Sequence, residues 1–236
     1  MRIAILNPVK YRESIGVEDR EILKPYARGI DFEVVFLEEG LDQIETLFDD
    51  VYTAPLVAKK AVELWRKGFD GILINCFNDP GLEAARELVP IPIIGVGLAS
   101  MVAASMVGDR FSIITVGDIE SIRAIRKRVE LYGFSSKLVS IYTIGIHVLD
   151  IDRNRDEVIK KIVELSRKAI DEGADVIILG CTGLSKLAQE VSIRIENPVI
   201  NPTLWGFLLL KNMVELRIPN PFFKSSRFLE GVYPWV

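Results

Sequence analysis

One nine-residue pattern occurs twice in this chain. It reads Gly68-Phe69-Asp70-Gly71-Ile72-Leu73-Ile74-Asn75-Cys76 and again Gly173-Ala174-Asp175-Val176-Ile177-Ile178-Leu179-Gly180-Cys181. In both copies Gly stands eight residues before Cys and Asp six, with an apolar run filling most of the gap. A run without alternation marks a strand buried on both faces, as in a parallel sheet. The likeness continues beyond the cysteines. Leu82 to Leu88 matches Leu184 to Glu190, given three extra residues in the first loop, and Pro92-Ile93-Ile94-Gly95 matches Pro198-Val199-Ile200-Asn201. A chain built from a repeated strand–helix unit is confined to α/β architectures with mostly parallel sheets.

The expected strands in the first half are 2–6, 32–37, 71–75 and 91–94. Its helices are 17–26, a helix capped by Thr53 with Pro55 in its first turn and ending before Gly68, 80–88, and 98–107. The second half repeats this with strands 111–116, 137–142, 175–179 and 198–200 and helices 119–132, 156–172, 184–191 and 204–216. The expected fold is therefore two similar α/β domains related by a pseudo-twofold, each with a four-stranded, mostly parallel sheet. The first should cover 1–97 and the second 98–206, with 207–236 packing back on the first. The tail 219–236 is rich in Pro and aromatics, does not fit the repeat, and is expected at the surface or at a subunit contact.

Composition narrows the function. At 49% hydrophobic and 26% charged, the chain can bury a core. A net charge of −4 and the lack of a basic stretch exclude nucleic acid as the expected partner. Residues 91–108 carry no charge, but Pro92, Gly95, Gly97, Ser100 and Ser105 interrupt them. This is not a membrane span; a helix apolar all round is one buried between layers. The N-terminus resembles no signal peptide and leads directly into a strand, so the cytoplasm, where thiols stay reduced, is the expected location.

In open parallel sheets ligands bind beyond the carboxyl ends of the strands. Cys76 and Cys181 both fall there, each just before a short helix. A helix N-terminus is expected to draw a thiol from its free pKa of roughly 8.5 toward neutrality, giving one thiol and one thiolate. Asn78, Thr182 and nearby backbone N–H groups can hold a carboxylate or a developing enolate oxygen. Asn7 and Thr115 close the equivalent first strands and point at the same cleft. A lone buried Cys is usually a small core hydrophobe; the matched placement of these two favours chemistry. His147 is the single His and is assigned no role, and no Cys-x-x-Cys occurs, so no metal site is expected. Gly95-Val96-Gly97 lacks the third Gly of a dinucleotide fingerprint and is not on the first strand. No cofactor is expected.

The stretch from Asn75-Cys76-Phe77-Asn78-Asp79-Pro80-Gly81 through Leu88 is similar to the hydantoin racemase branch of the aspartate/glutamate/hydantoin racemase superfamily. Gly180-Cys181-Thr182-Gly183 is similar to that superfamily's second-cysteine motif. The resemblance covers 1–216. It implies two flavodoxin-like domains with the active site between them, Cys76 and Cys181 as the two bases, and no cofactor. It also implies substrate contacts at Asn7, Phe77, Asn78, Thr115, Thr182 and Gly183. This chain has Val9-Lys10-Tyr11 where relatives carry Asn and small polar residues, and Leu98 where many carry Glu. Both departures are expected near the cleft.

Racemisation removes a proton from one face of a stereocentre and returns it to the other, which two fixed thiols can do without moving. Phe77 beside the first thiol, and the absence of Arg or Lys from both cysteine loops, favour 5-substituted hydantoins over aspartate or glutamate. Lys186, the nearest cation, is expected one turn into its helix. The alternatives are a related racemase or isomerase of an amino acid, small carboxylate or ureide, and a non-catalytic two-lobed binding protein. A small-molecule substrate, no nucleic-acid or membrane partner, and a homo-oligomer are expected.

Overall fold

The computed structural model describes residues 1–223. Its first half runs β1 (Arg2–Lys10), α1 (Glu13–Leu23), β2 (Asp31–Leu37), α2 (Leu47–Arg66), β3 (Gly71–Ile74), α3 (Leu82–Leu88), β4 (Ile93–Gly95) and α4 (Val96–Val107). The second runs β5 (Phe111–Thr115), α5 (Ile119–Leu131), β6 (Leu138–Thr143), α6 (Arg155–Asp171) and β7 (Val176–Leu179). A 3-10 turn (Thr182–Leu187) then leads into α7 (Ala188–Ile195), β8 (Val199–Ile200) and α8 (Pro202–Glu215). The two sheets have orders β2-β1-β3-β4 and β6-β5-β7-β8, and every pairing is parallel. Adding four to each strand of the first sheet gives the second, as the repeated pattern requires. β3 and β7 are buried along their whole length, which is why neither alternates.

The uncharged stretch resolves as β4 and α4, and no helix among the described residues is long and apolar enough to cross a membrane. One face of α4, with Val96 and Ala99, packs into the core of the first sheet beside Ile3, Ile5 and Phe207. The other, with Met101, Ala103 and Ala104, packs into that of the second beside Phe111, Val176 and Ile178. Its hydroxyls stay satisfied in this apolar setting because Ser100 and Ser105 donate to carbonyls four residues back. α8 follows the second sheet but buries Phe207, Leu210 and Val214 against the first.

Three helix starts differ by four residues or more from expectation. α1 begins at Glu13 and not at 17, and α7 at Ala188, after the 3-10 turn, and not at 184. α2 begins at Leu47, not after Thr53. Thr46 caps it through a reciprocal box with Asp49. Thr53 is fully buried in its interior, and Pro55 also sits inside the helix. Of the tail, Asn220 donates to the carbonyls of Arg86 and Val89 at the end of α3, and Phe223 lies against Trp65. The expectation for the remainder, 224–236, lies outside the described residues.

Candidate active site

The carboxyl ends of β1, β3, β5 and β7 open into one cleft. All eight residues singled out from the sequence line it: Asn7, Cys76, Phe77, Asn78, Thr115, Cys181, Thr182 and Gly183. Not all are free to meet a ligand. Asn7 donates to Asp19 on α1 (2.7 Å) and accepts from Asn75 (3.0 Å). Asn75 also reaches Asp19 and accepts from Thr203, which pairs with Ser185. This buried network locks the residue before Cys76 to both halves of the chain. Burial raises Asp19 to about 6, against the opposing hydrogen bonds from Asn7 and Asn75. Thr115 donates to the carbonyl of Gly180 (3.0 Å) and so ties β5 to the second cysteine loop. Thr182 reaches across to the carbonyl of Asn75 (3.4 Å).

Neither thiol behaves as the sequence led us to expect. α3 starts at Leu82, well past Cys76, and the turn after Cys181 is a short 3-10 segment. Helix dipoles act over the first turn of a real helix, so they give little here. Burial dominates instead. It pushes Cys76 well above the ordinary thiol value, with further upward contributions from Asp50, Cys181 and Asp79, against one N–H donated by Asn78. It pushes Cys181 up to about 12, against N–H groups of Gly183 and Leu184 and with an upward contribution from Glu45. Both cysteines are free and keep a partly exposed edge.

The Gly95-Val96-Gly97 stretch has a clear local role. Asp79, fully buried at a positive φ, turns its carboxylate onto the N–H groups of Gly97 and Leu98 at the start of α4 (2.8 Å each) and accepts from Tyr132 (2.9 Å). A Cβ on Gly95 would collide with that carboxylate, and one on Gly97 with the carbonyl of Phe77. The two glycines therefore let the first cysteine loop press against α4, whose N-terminus holds a side chain of the protein itself. Leu98 serves here through its N–H and does not line the cleft, whereas Pro8 and Val9 do.

Several cleft residues escaped the sequence reading. Glu45, from the loop before α2, is buried and crosses to the second half. There it bonds Nδ1 of His147 (2.7 Å) and the N–H of Val148 (2.8 Å). His147 is thus part of the cleft wall's support, and Glu45 raises its pKa. Lys186 lies in the 3-10 turn and bridges Glu18 of α1 and Asp152. Of the charged residues lining the cleft, Arg12 is the single cation, against Glu18, Asp19, Asp42, Glu45 and Asp152. The Thr46–Asp49 capping box was the legible signal that could have brought this loop into view. Among the described residues no three His, Cys, Asp or Glu side chains group so as to hold a metal ion.

Comparison with known proteins gives the family and the fold. Residues 21–208 match the family model described as Asp/Glu/Hydantoin racemase. A hydantoin racemase from Pseudomonas sp. (strain NS671) is 29% identical over 98% of this chain and 92% of that relative. An allantoin racemase from Klebsiella pneumoniae superposes with a TM-score of 0.87 at 30% identity, covering 95% of this chain and 94% of that one. A glutamate racemase from Bacillus anthracis shares the fold, with a TM-score of 0.66 at 15% identity over 92% of this chain and 82% of its own. The family model spans most of the chain and the likeness to these racemases runs nearly its full length, so the chain belongs to the Asp/Glu/hydantoin racemase family, a family of isomerases.

Proposed function

We propose that this racemase interconverts the D and L forms of 5-substituted hydantoins by proton transfer between Cys76 and Cys181, without a cofactor. The observation that carries the reading is the pair of free thiols on one cleft, each at the end of the equivalent strand. One sulfur, as thiolate, takes the proton from the ring carbon; the other, as thiol, returns one from the opposite face. The neighbouring ring carbonyl takes up the charge as an enolate. Because burial raises both thiols, the free site holds them protonated at neutral pH, and the minority thiolate is a strong base.

Charge supports the substrate class. A cleft lined by five carboxylates, two of them bridged by Lys186, with Arg12 as the one cation in its lining, disfavours aspartate or glutamate, which bring two more carboxylates. A neutral ring carries no such penalty. Val9, Ile15, Ile22, Ile44, Val148 and Ile151 suit an apolar 5-substituent. A second reading, a ureido substituent as in allantoin, draws on two lining groups with buried, unpartnered atoms, Gln43 Oε1 and Ser121 Oγ, and on the allantoin racemase likeness.

The test is a panel of 5-benzylhydantoin, 5-isopropylhydantoin, allantoin, aspartate and glutamate in deuterium oxide. Proton NMR follows the stereocentre and polarimetry follows rotation. Exchange with loss of rotation is expected for the hydantoins. Aspartate or glutamate turning over faster than every hydantoin would overturn the proposal, and allantoin outpacing the apolar hydantoins would select the second reading.

A further inference from the structure

The two thiols face different carboxylates. Glu45, beside Cys181, has both oxygens engaged, one by His147 and one by the N–H of Val148. Asp50 of α2, beside Cys76, is buried at 4% exposure. Its side chain bonds that of Asn78, whose backbone N–H is the one directed at the Cys76 sulfur. Its Oδ1 has no partner. The cation facing it is Arg128 of α5, which makes its ion pair with Glu83 (3.5 Å) instead. Asp79 and Asp49 also face Asp50 and add negative charge. Cys181 has two N–H donors and an acid whose two oxygens are both hydrogen-bonded; Cys76 has one donor and an acid with an open oxygen.

We propose that Asp50 holds Cys76 in the thiol form and so makes Cys181 the sulfur that gives up its proton first. Two buried acids that feel each other's charge do not both ionise readily. Burial raises Asp50 to about 7, still far below a buried thiol, so the carboxyl takes the charge and the thiol keeps its proton. Asp50 is a positioning residue acting through Asn78 and through its field. In the proton-transfer reading above, on which this consequence rests, Cys76 begins as the acid and Cys181 as the base.

Site-resolved alkylation tests this without turnover. The intact protein is treated with iodoacetamide between pH 6 and 10, quenched and digested, and each cysteine is quantified by mass spectrometry. In the wild type the rate at Cys181 should begin to rise at lower pH than that at Cys76. In Asp50→Asn, alkylation of Cys76 at pH 8 should rise about tenfold, the equivalent of one pKa unit, while Cys181 changes less than about twofold. A merely structural role would change reactivity at all pH values without moving the profile. Cys76 ionising ahead of Cys181 in the wild type, or a Cys76 profile unmoved in the variant, would overturn the assignment. The wild-type order decides even if the variant fails to fold. Thiols that titrate in this order in a protein that exchanges no hydantoin proton would remove the substrate reading and leave that of Asp50 standing.

Discussion

The two cysteine loops share a backbone plan and differ in nearly everything around it. Cys76 follows Asn75, whose amide is held by Asp19, Asn7 and Thr203. Cys181 follows Gly180, where a Cβ would lie 2.7 Å from Ile113 and 3.0 Å from Thr115, so no Asn fits there. After Cys76 the chain runs through Asp79 and Gly81 before α3 begins, and Asp79 is spent on α4. After Cys181 it turns at once into a 3-10 segment whose first N–H groups face the sulfur. The repeat fixes where each sulfur stands. The charge around each comes from residues outside the repeat, so two positionally equivalent thiols are not chemically equivalent.

The largest effect should come from the sulfurs themselves. Cys76→Ser and Cys181→Ser should each lower racemisation by about 10²–10⁴-fold, the span of positioned acid–base groups, with far-ultraviolet circular dichroism unchanged. Each variant keeps one base and so still exchanges the proton of one enantiomer, and of opposite ones; if the loops differ as described, Cys181→Ser, which leaves only Cys76, exchanges the more slowly. Full racemisation by either variant would break the comparison at its root.

Next is a substitution that touches the first loop alone. Gly97→Ala drives a methyl into the carbonyl of Phe77 and crowds Asp79. It should cost about 4 kcal/mol or more, as overpacking against backbone does at its upper end. Urea unfolding measures it; a cost under about 1 kcal/mol would mean the loop is not pressed on α4.

A smaller effect should appear in pH dependence. Asp50 is raised from 3.8 to about 7, so between those values the folded chain holds a proton that the unfolded chain has lost. Its contribution is full below pH 4 and declines as pH rises through about 7, by about 4 kcal/mol at most. Asp50→Asn should flatten that decline, becoming more stable relative to wild type at pH 8 than at pH 4.5 in paired urea titrations. An unchanged slope would detach Asp50 from the asymmetry.

The smallest concerns the second loop. His147 is half-exposed and raised by Glu45, so its tie is present below its unfolded pKa and lost as pH rises through the folded value. His147→Gln should raise the KM for 5-benzylhydantoin about twofold at pH 6 and leave it unchanged at pH 9, in keeping with under about 1 kcal/mol for an exposed pair. An equal effect at both values would assign His147 to shape, not charge.

The two matched sets of four strands and both cysteines were legible because burial of β3 and β7 on two faces writes itself as an unbroken apolar run. The start of α2 was not. Phe48, Val51 and Tyr52 stand exposed on its first turns, which blurs the usual apolar stripe, and Pro55 reads as a first-turn residue. The thiol environment was misread for another reason: helices were inferred from residues 80 and 184, whereas α3 begins at Leu82 and a 3-10 turn precedes α7, and burial of each sulfur outweighs what either start supplies. Asp50 was invisible, and the capping box beside Glu45 pointed only to its loop, because what gives each its meaning is a partner far away in the chain. No spacing rule links Glu45 to His147 or Asp50 to Asn78.

α4 has a mechanical consequence. It is embedded in the cores of both sheets at once, with Val96 and Ala99 in one and Met101, Ala103 and Ala104 in the other. Close-packed interiors do not slide freely, so swinging the halves apart would tear a core that belongs to each. The two repeats are therefore expected to melt as a single unit, while the rim of the cleft is held by polar pairs, where Glu45 meets His147 and Lys186 meets Glu18. Polar contacts that water can replace are the hinges this architecture leaves available.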